Sequence, residues 1–311
     1  MHCEFQLLVI SAMQISLFLA DGLFCAEYRN SIVHTYHPIR HCQRSNKTVI
    51  GLSNVKSVDK CAEFAKNRRA MAFNFAPVDR GNTNLFVKAK ENLLRDNHTK
   101  YYLKDVEEPE EFFNCELLAC PEFQNFSHIV NDTRFDYYSL YAKFLPPKNA
   151  TCLPTVGVFQ YYNEFANYSM ATQKCLHGNG SLAHILSETR TNSLSNFIYR
   201  QQNVTTRVKV AYVGLNETVR NKFRTSADEP IECSLYRAWA PGHPMQKNIL
   251  RCVALTDDDS WQTFSCLKRL PFICEIHVSG PSDDRIDFKR KCSLRRDNNV
   301  SRAKRRKRVR F

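Results

Sequence analysis

The sequence lacks the short motifs that identify the common classes of enzyme. Its 311 residues contain no Gly-x-Ser-x-Gly, no His-Glu-x-x-His, no phosphate-binding loop and no Gly-x-Gly-x-x-Gly dinucleotide motif. The histidines are scattered, and their only close group, His34, His37 and His41, is expected to be exposed surface, with adventitious metal binding as the alternative. The sequence therefore predicts a non-enzymatic protein with no catalytic residues, no metal site and no cofactor.

The sequence has one long apolar run, near its start, and lacks a second. The first run extends from Leu7 to Ala20 without Lys or Arg, and it is shorter than the ~20 residues that a helix needs to cross a bilayer. Small residues at Ala20 and Gly22 favour cleavage after Gly22, so residues 1–22 are predicted to be a signal peptide, although no basic residue precedes the run. With no further span and no lipid-anchor signal, we expect a secreted, extracellular protein.

Zinc-type Cys-x-x-Cys pairs are absent too, although thirteen cysteines are spread along the chain. In an exported protein this distribution indicates a framework of disulfides. Asn-x-Ser/Thr glycosylation sequons agree with export. They occur at Asn46, Asn97, Asn125, Asn131, Asn149, Asn167, Asn179, Asn203, Asn216 and Asn299.

Cysteines, prolines and charge divide the rest of the chain into three segments. Residues 23–148 end at the stiff Pro146-Pro147 pair, which is expected to be a linker. Residues 149–279 hold both tryptophans, and residues 280–311 form a basic tail. The tail has thirteen Lys/Arg and four Asp, so it carries +9 of the total charge of +13.

The first segment is expected to be a disulfide-bonded α+β domain. Ser57 is placed to cap the helix SVDKCAEFAKN, and strands are predicted over 70–75, 98–106 and 136–145. A helix that carries Cys61 between strands resembles the PAN/apple module, in which the helix is joined to the sheet by disulfides. Ala65 and Ala70 stand where such modules commonly carry further cysteines, so an unclassified α+β domain is the alternative. The candidate disulfide cysteines of this segment are Cys42, Cys61, Cys115 and Cys120.

The second segment has a more specific pattern. Tyr168, Ala171 and Cys175 share one helical face, and Ser187 is placed to cap a second helix with the apolar stripe Leu194, Phe197 and Ile198. Val213-Gly214-Leu215, the stretch from Ala238 to Gly242, Arg251-Cys252-Val253, Ser260-Trp261 and the stretch from Phe272 to Glu275 follow in order. From about residue 150 to 277 the sequence resembles the C-type lectin-like domain, which implies an α+β fold with two helices, antiparallel sheets and a long irregular loop.

This resemblance implies two disulfides, Cys175–Cys274 and Cys252–Cys266. Cys152 and Cys233 are left over in this segment, and they pair either with each other or with cysteines of the first segment or the tail. The sequence does not assign Cys25 or Cys292.

The stretch TDDDSWQTFSC raises the question of calcium, which needs six to eight converging oxygen ligands. Asp257, Asp258 and Asp259 are consecutive, so their carboxylates point in different directions and are predicted to form a solvated turn between strands. In calcium-dependent members of the family that this segment resembles, the calcium ligands come from three other stretches of the sequence. Here those stretches read His243-Pro244-Met245, Leu250-Arg251 and Gln262-Thr263. We therefore expect no calcium at this position.

The candidate ligand loop contains Trp239, His243 and Met245, which could line a groove that works without calcium. Trp239 and Trp261 are themselves expected to be core residues. The predicted function is recognition of an extracellular protein or matrix component, and the alternative is a calcium-independent lectin of innate immunity. No nucleic-acid partner is expected.

The basic tail has three interpretations: a solvated disordered end, a binding element for sulfated polyanions, or a substrate for proteases that cut at dibasic sites. Its cluster of positive side chains consists of Arg302, Lys304, Arg305, Arg306, Lys307, Arg308 and Arg310.

Overall fold

The computed structural model describes residues 35–77, 112–201, 209–219, 222–245, 251–281 and 292. Several predictions lie outside these residues: the signal peptide, Cys25, the strand over 98–106, the sequons Asn97, Asn203 and Asn299, and the charged cluster of the tail. The described residues form an N-terminal module, built around one sheet, and a C-terminal module built around another.

The N-terminal module contains a five-stranded antiparallel sheet and a two-stranded ribbon. Its elements are β1 (His37–Arg40), β2 (Gln43–Ser45), β3 (Val49–Ser53), α1 (Val58–Asn67), β4 (Ala72–Phe75), β5 (Cys115–Leu118), β6 (Ile129–Asn131) and β7 (Asp136–Ser139). The sheet has the order β1-β7-β4-β5-β3, and β2 pairs with β6. The central strands β4 and β5 are buried along their whole length.

Helix α1 begins where the sequence predicts it. Ser57 Oγ accepts a hydrogen bond from the backbone N–H of Lys60, which satisfies one of the free donors at the helix start. Cys61 and Ala65 face the sheet and are fully buried, and a disulfide joins Cys61 to Cys115 on β5. The predicted strand over 70–75 is shorter than expected and begins at Ala72. The helix joined to a sheet fits the PAN/apple expectation, which stays a prediction.

The predicted strand over 136–145 is wrong after its first four residues, which form β7. Ser139 Oγ accepts a hydrogen bond from the backbone N–H of Tyr141 at 3.0 Å, and this local contact replaces the regular ladder. Tyr141 then pairs with Ser279 in an isolated bridge. The chain therefore leaves the first sheet at this point and runs along the C-terminal module.

The C-terminal module is a sheet with two helices. Its elements are β8 (Thr151–Leu153), β9 (Gly157–Ala166), α2 (Tyr168–His177), β10 (Gly180–Leu182), α3 (Glu188–Gln201), β11 (Val210–Val219), β12 (Lys222–Thr225), β13 (Cys252–Thr256), β14 (Trp261–Phe264) and β15 (Leu270–Ile276). The main order is β14-β13-β11-β15-β9-β8, with β10 on β15 and β12 on β11. The pairing is antiparallel except between β11 and β15, which run parallel and meet at Tyr212 and Phe272.

Both helices of this module follow the predicted apolar faces. Asn167 caps α2, whose buried residues are Ala171 and Cys175. Ser187 Oγ accepts from the N–H of Arg190 at the start of α3, and the predicted stripe of α3 is buried against β11 and β13. The core thus lies between the helices and the sheet, and Trp261 is its largest fully buried side chain.

Five disulfides connect the described cysteines. They are Cys42–Cys292, Cys61–Cys115, Cys120–Cys152, Cys175–Cys274 and Cys252–Cys266. The last two are the pairings that the family resemblance implies. Cys233 is disulfide-bonded as well, but not to Cys152. Cys152, on β8, pairs with Cys120 of the first segment, which was one of the alternatives that the sequence left open.

The two modules pack against each other. The Cys120–Cys152 disulfide crosses between them, and Met71, Tyr141, Val158 and Ile276 form a shared buried cluster. Pro146, expected in a linker, is buried, and its carbonyl accepts the backbone N–H of Gln124 at 3.0 Å. Within the described part of the chain, no helix is both long and apolar enough to cross a membrane.

Candidate functional site

The irregular segment between β12 and β13 is anchored to β14 through Trp261. The N–H of Trp261 donates to the carbonyl of Ala238 at 2.7 Å, and the carbonyl of Trp261 accepts from the N–H of Ala240 at 3.0 Å. The rings of Trp239 and Trp261 lie edge to face, with centroids 5.4 Å apart. Trp261 is buried as expected, whereas Trp239 is only half-buried and reaches the surface of the segment.

His243 and Thr263 form a hydrogen-bonded pair at the edge of this segment. The backbone N–H of Thr263 donates to His243 Nδ1 at 2.9 Å, and Thr263 Oγ1 lies 2.9 Å from the same nitrogen. The N–H of Met245 donates to Thr263 Oγ1 at 3.0 Å. Two of the positions at which the family resemblance places calcium ligands are therefore bonded to each other.

The contacts of His243 define its protonation state. Because an N–H group can only donate, Nδ1 must present its lone pair, and the ring proton belongs on Nε2. Partial burial lowers the pKa of His243, which favours the same neutral form. The imidazole therefore acts as an internal acceptor that holds the loop on β14.

Arg251 occupies the position next to a family calcium ligand. Its Nε lies 3.4 Å from Glu217 Oε2, and its Nη2 donates to the carbonyl of Thr218 at 2.8 Å. The neighbouring Leu250 lies outside the described residues. The guanidinium thus joins the start of β13 to the end of β11 and partly neutralises the carboxylate of Glu217.

A cavity of about 310 Å³ opens beside these residues. The buried side chains of Phe223 and Ile231 form an apolar base, and the exposed Glu232 and Arg237 form a charged rim. The lining residues are Glu217, Phe223, Ile231, Glu232, Arg237, Trp239, Pro244 and Met245. Of the three predicted ligand-loop residues, Trp239 and Met245 line this cavity together, whereas His243 does not and is instead bonded to Thr263. We call these eight lining residues the loop groove.

Most residues of the loop groove could not be predicted from the sequence. Glu217 and Phe223 come from β11 and β12, and Ile231 and Glu232 come from a short 3₁₀ turn. None of them carries a motif, and only the folding of the long segment over β11 and β12 brings them beside Trp239. No signal in the sequence identifies them as a group.

The acidic triplet forms the turn between β13 and β14, as predicted. Asp258 Oδ1 accepts hydrogen bonds from the hydroxyls of Thr256 and Ser260, and the pKa of Asp258 is lowered chiefly by the bond from Thr256. Asp259 has a positive φ of 64°. The carboxylate of Asp258 therefore stabilises the turn itself.

Among the described residues, one group brings three potential metal-ligating side chains together: His41, Cys42 and Cys292. The two cysteines are bonded to each other, so neither offers a thiolate. His41 was expected to be exposed, but its side chain is only 12% exposed because Nδ1 contacts Asp136 at 2.7 Å. This group therefore joins the start of the N-terminal module to residue 292.

The C-terminal module is similar in sequence to a known family of domains. The Lectin C-type domain family matches residues 164–276. No curated protein matches the chain. Similar solved structures include human lithostathine, at 18% identity over 42% of this chain and 98% of that chain, with a TM-score of 0.37.

Two further structures have a similar extent. The mouse scavenger receptor C-type lectin carbohydrate-recognition domain is 18% identical over 42% of this chain and 95% of its own, with a TM-score of 0.36. A calcium-independent type II antifreeze protein is 19% identical over 42% of this chain and 92% of its own, with a TM-score of 0.35. On the family match, residues 164–276 of the chain form a C-type lectin-like domain.

Proposed function

We propose that this protein is a secreted, non-enzymatic recognition protein whose C-type lectin-like domain binds an extracellular protein or matrix component without calcium. The hydrogen-bonded pair of His243 and Thr263 carries the proposal. Calcium-dependent relatives would need oxygen ligands at this place. Here a nitrogen acceptor and a hydroxyl occupy it. The disulfides support an oxidising, extracellular location.

The residues at the family's calcium position do not fit the ion. Calcium takes six to eight oxygens, mostly from carboxylates and carbonyls. His243 offers nitrogen, Thr263 Oγ1 already accepts a bond from Met245, and the nearby carboxylate of Glu217 contacts Arg251. A cation here would lie near a guanidinium and lack the anionic ligands that replace its hydration shell.

The loop groove suits a protein side chain better than a sugar. The ring centroid of Trp239 lies 5.1 Å from that of Phe223 and 5.4 Å from that of Trp261. The Trp239 ring therefore forms part of the base of the groove and does not stand out as a stacking platform. Met245 is 40% exposed, and methionine adapts its shape to apolar partners. Rim charges from Glu232 and Arg237 would orient a polar partner.

The second candidate is a calcium-independent lectin. Glu217, Glu232 and Arg237 could form hydrogen bonds with sugar hydroxyls, and the half-buried Trp239 leaves part of an aromatic face beside them. A glycan array probed with and without EDTA separates the candidates. Binding to a defined glycan that is unchanged by EDTA and lost in Met245→Ala would favour the lectin.

Calcium is expected to leave the stability of the protein unchanged. An ion that binds the native state raises the free energy of unfolding by about 2.7 kcal/mol at 100 times its dissociation constant. Thermal unfolding in 10 mM CaCl₂ and in EDTA should therefore give the same midpoint. A midpoint that rises with calcium in the wild type but not in Glu217→Gln would contradict the proposal, because Glu217 is the carboxylate next to this position.

Partner binding is expected to depend on the groove. A panel of purified extracellular and matrix proteins should include a partner whose binding persists in EDTA. Met245→Ala should weaken that binding, whereas Leu267→Ala, at a side chain that is 82% exposed outside the groove, should leave it unchanged.

The basic tail is proposed to add affinity for sulfated polyanions. Removing residues 293–311 keeps Cys292 and takes away nine Lys/Arg and one Asp. The shortened protein should elute from heparin at lower salt than the wild type. Fewer ionic contacts hold it to the heparin, so less salt is needed to screen them. A variant of full length with glutamine at the seven basic positions from Arg302 to Arg310 controls for length. Elution of both variants at the wild-type salt concentration would exclude this role.

A further inference from the structure

We propose that a shallow cavity at the start of α2 holds the first sugar of an N-glycan attached to Asn167. The cavity has a volume of about 550 Å³ and lies away from the loop groove. Its lining residues are Glu164, Phe165, Ala166, Met170, Lys174 and Arg269. The site is independent of the calcium-free recognition proposed above and requires only that the chain passes through the secretory pathway.

The cavity exposes apolar surface directly beside a sequon. Phe165 and Met170 are 44% and 52% exposed, although both belong to apolar residue types that a folded domain usually covers. Asn167-Tyr168-Ser169 lies between them in the sequence. Because Phe165, Ala166 and Met170 on either side of Asn167 all line the cavity, a group attached to Asn167 is positioned at its edge.

The side chain of Asn167 can cap α2 and carry a sugar at the same time. Its Oδ1 accepts a hydrogen bond from the backbone N–H of Met170 at 2.9 Å. Glycosylation uses the other atom of the amide: a bond forms between Nδ2 and C1 of N-acetylglucosamine, and Nδ2 loses a proton. The bond between C1 and the diphosphate of a lipid-linked oligosaccharide donor breaks, and the lipid diphosphate leaves. Oδ1 is unchanged, so the helix cap is kept.

The lining of the cavity matches the two sides of this sugar. One face of the ring and the acetyl methyl group are apolar, and they would cover Phe165 and Met170. The hydroxyl groups would face the charged rim, where Lys174 Nζ lies 3.4 Å from Glu164 Oε1. Arg269 Nε donates to the carbonyl of Phe165 at 3.0 Å, which fixes the backbone next to the aromatic ring.

Two other sequons in the described ranges differ from Asn167 in these features. Asn216 lies within β11, opposite Arg224 on one side and Cys252 on the other. Asn125 also follows a phenylalanine by two residues, but Lys47 Nζ already lies 4.4 Å from the centroid of the Phe123 ring. Of these three sequons, Asn167 is therefore the one that follows an exposed phenylalanine lining the cavity.

The test compares wild-type protein with Asn167→Asp after both are trimmed to a single sugar. The two proteins are produced in secretory cells that make oligomannose glycans, and endoglycosidase H leaves one N-acetylglucosamine at each occupied site. The aspartate cannot be glycosylated but keeps a carboxylate oxygen that caps the helix as well as asparagine does. A difference between the two proteins therefore reports on the sugar and not on the cap.

The acetyl methyl group of the sugar on Asn167 gives an NMR signal that is absent from Asn167→Asp. In the wild type, this signal is expected to be shifted upfield by the ring current of Phe165. Phe165→Ala should return this signal to the position of the free sugar. The trimmed wild type should also bind less of a fluorescent hydrophobic dye than Asn167→Asp. Asn149→Asp, which removes an exposed sequon preceded by Pro147 and Lys148, should leave dye binding unchanged.

Three results would overturn the inference. Peptide mapping could find Asn167 unmodified, the methyl signal could lie at the free-sugar position in the wild type, or it could stay shifted in Phe165→Ala. Because none of these measurements involves calcium or a partner, failure here leaves the proposed recognition function untouched, and failure of that function leaves this site untouched.

Discussion

Replacing Trp261 with alanine is expected to lower the free energy of unfolding by about 3–5 kcal/mol, the usual cost of removing a large aromatic side chain from a core. Trp261 is fully buried. Its Nε1–H donates to Thr191 Oγ1 on α3 at 3.3 Å, and its ring meets those of Tyr236 and Trp239. Urea denaturation followed by circular dichroism measures the change.

The loop groove should be lost along with this stability. Without the Trp261 ring, Trp239 loses one of its two aromatic neighbours, and the base of the groove is no longer supported. Trp261→Phe keeps a ring and should cost less than the alanine variant. A loss below about 1 kcal/mol in Trp261→Ala would mean that the surrounding core collapses onto the vacated space.

Replacing Gly214 with alanine is expected to destabilise the domain by about 1–3 kcal/mol or more, because the added carbon has no room. A Cβ at this position would approach Leu182 O and Ser226 Oγ to well under 3.0 Å. The surroundings cannot move easily, since the N–H of Gly214 donates to Ala183 at 2.9 Å and its carbonyl accepts from Ser226 at 3.1 Å. Thermal unfolding should show a clear fall in midpoint.

Gly178→Ala is the matched control for this prediction. Gly178 ends α2 with an ordinary negative φ of −83°, and a Cβ there would come no nearer than 3.4 Å to the carbonyl of Cys175. This variant should unfold close to the wild-type midpoint. If Gly214→Ala behaves like Gly178→Ala, the close approach of β10 to β11 is not rigid.

Local patterns in the sequence were sufficient to predict the helices. Ser57 and Ser187 were predicted as helix caps because short polar side chains satisfy the free N–H groups of the first turn, and the apolar stripes follow the helical repeat. Asn167 caps α2 in the same way, but the sequence predicted it only as a glycosylation site. The Lectin C-type match agrees with the resemblance inferred from the second segment. These features depend on contacts between residues close together in the chain or on a fixed motif order.

The parts that could not be predicted depend on distant residues meeting. The partner of Cys152 is Cys120, which requires the two modules to pack, and no spacing encodes that contact. The bond between His243 and Thr263 was missed for the same reason, since it needs the long segment to fold back onto β14. The strand over 136–145 was predicted too long because its apolar alternation continues after the chain has left the sheet.

The Cys42–Cys292 bond has a further consequence for the covalent structure of the mature chain. It links residues 250 positions apart, so everything between them lies within one covalent ring. A single proteolytic nick inside that ring opens the backbone but leaves both fragments attached, and they separate on a denaturing gel only after reduction. Cuts beyond Cys292, including those at the basic sites from Arg302 onward, are outside the ring and can release their fragments directly.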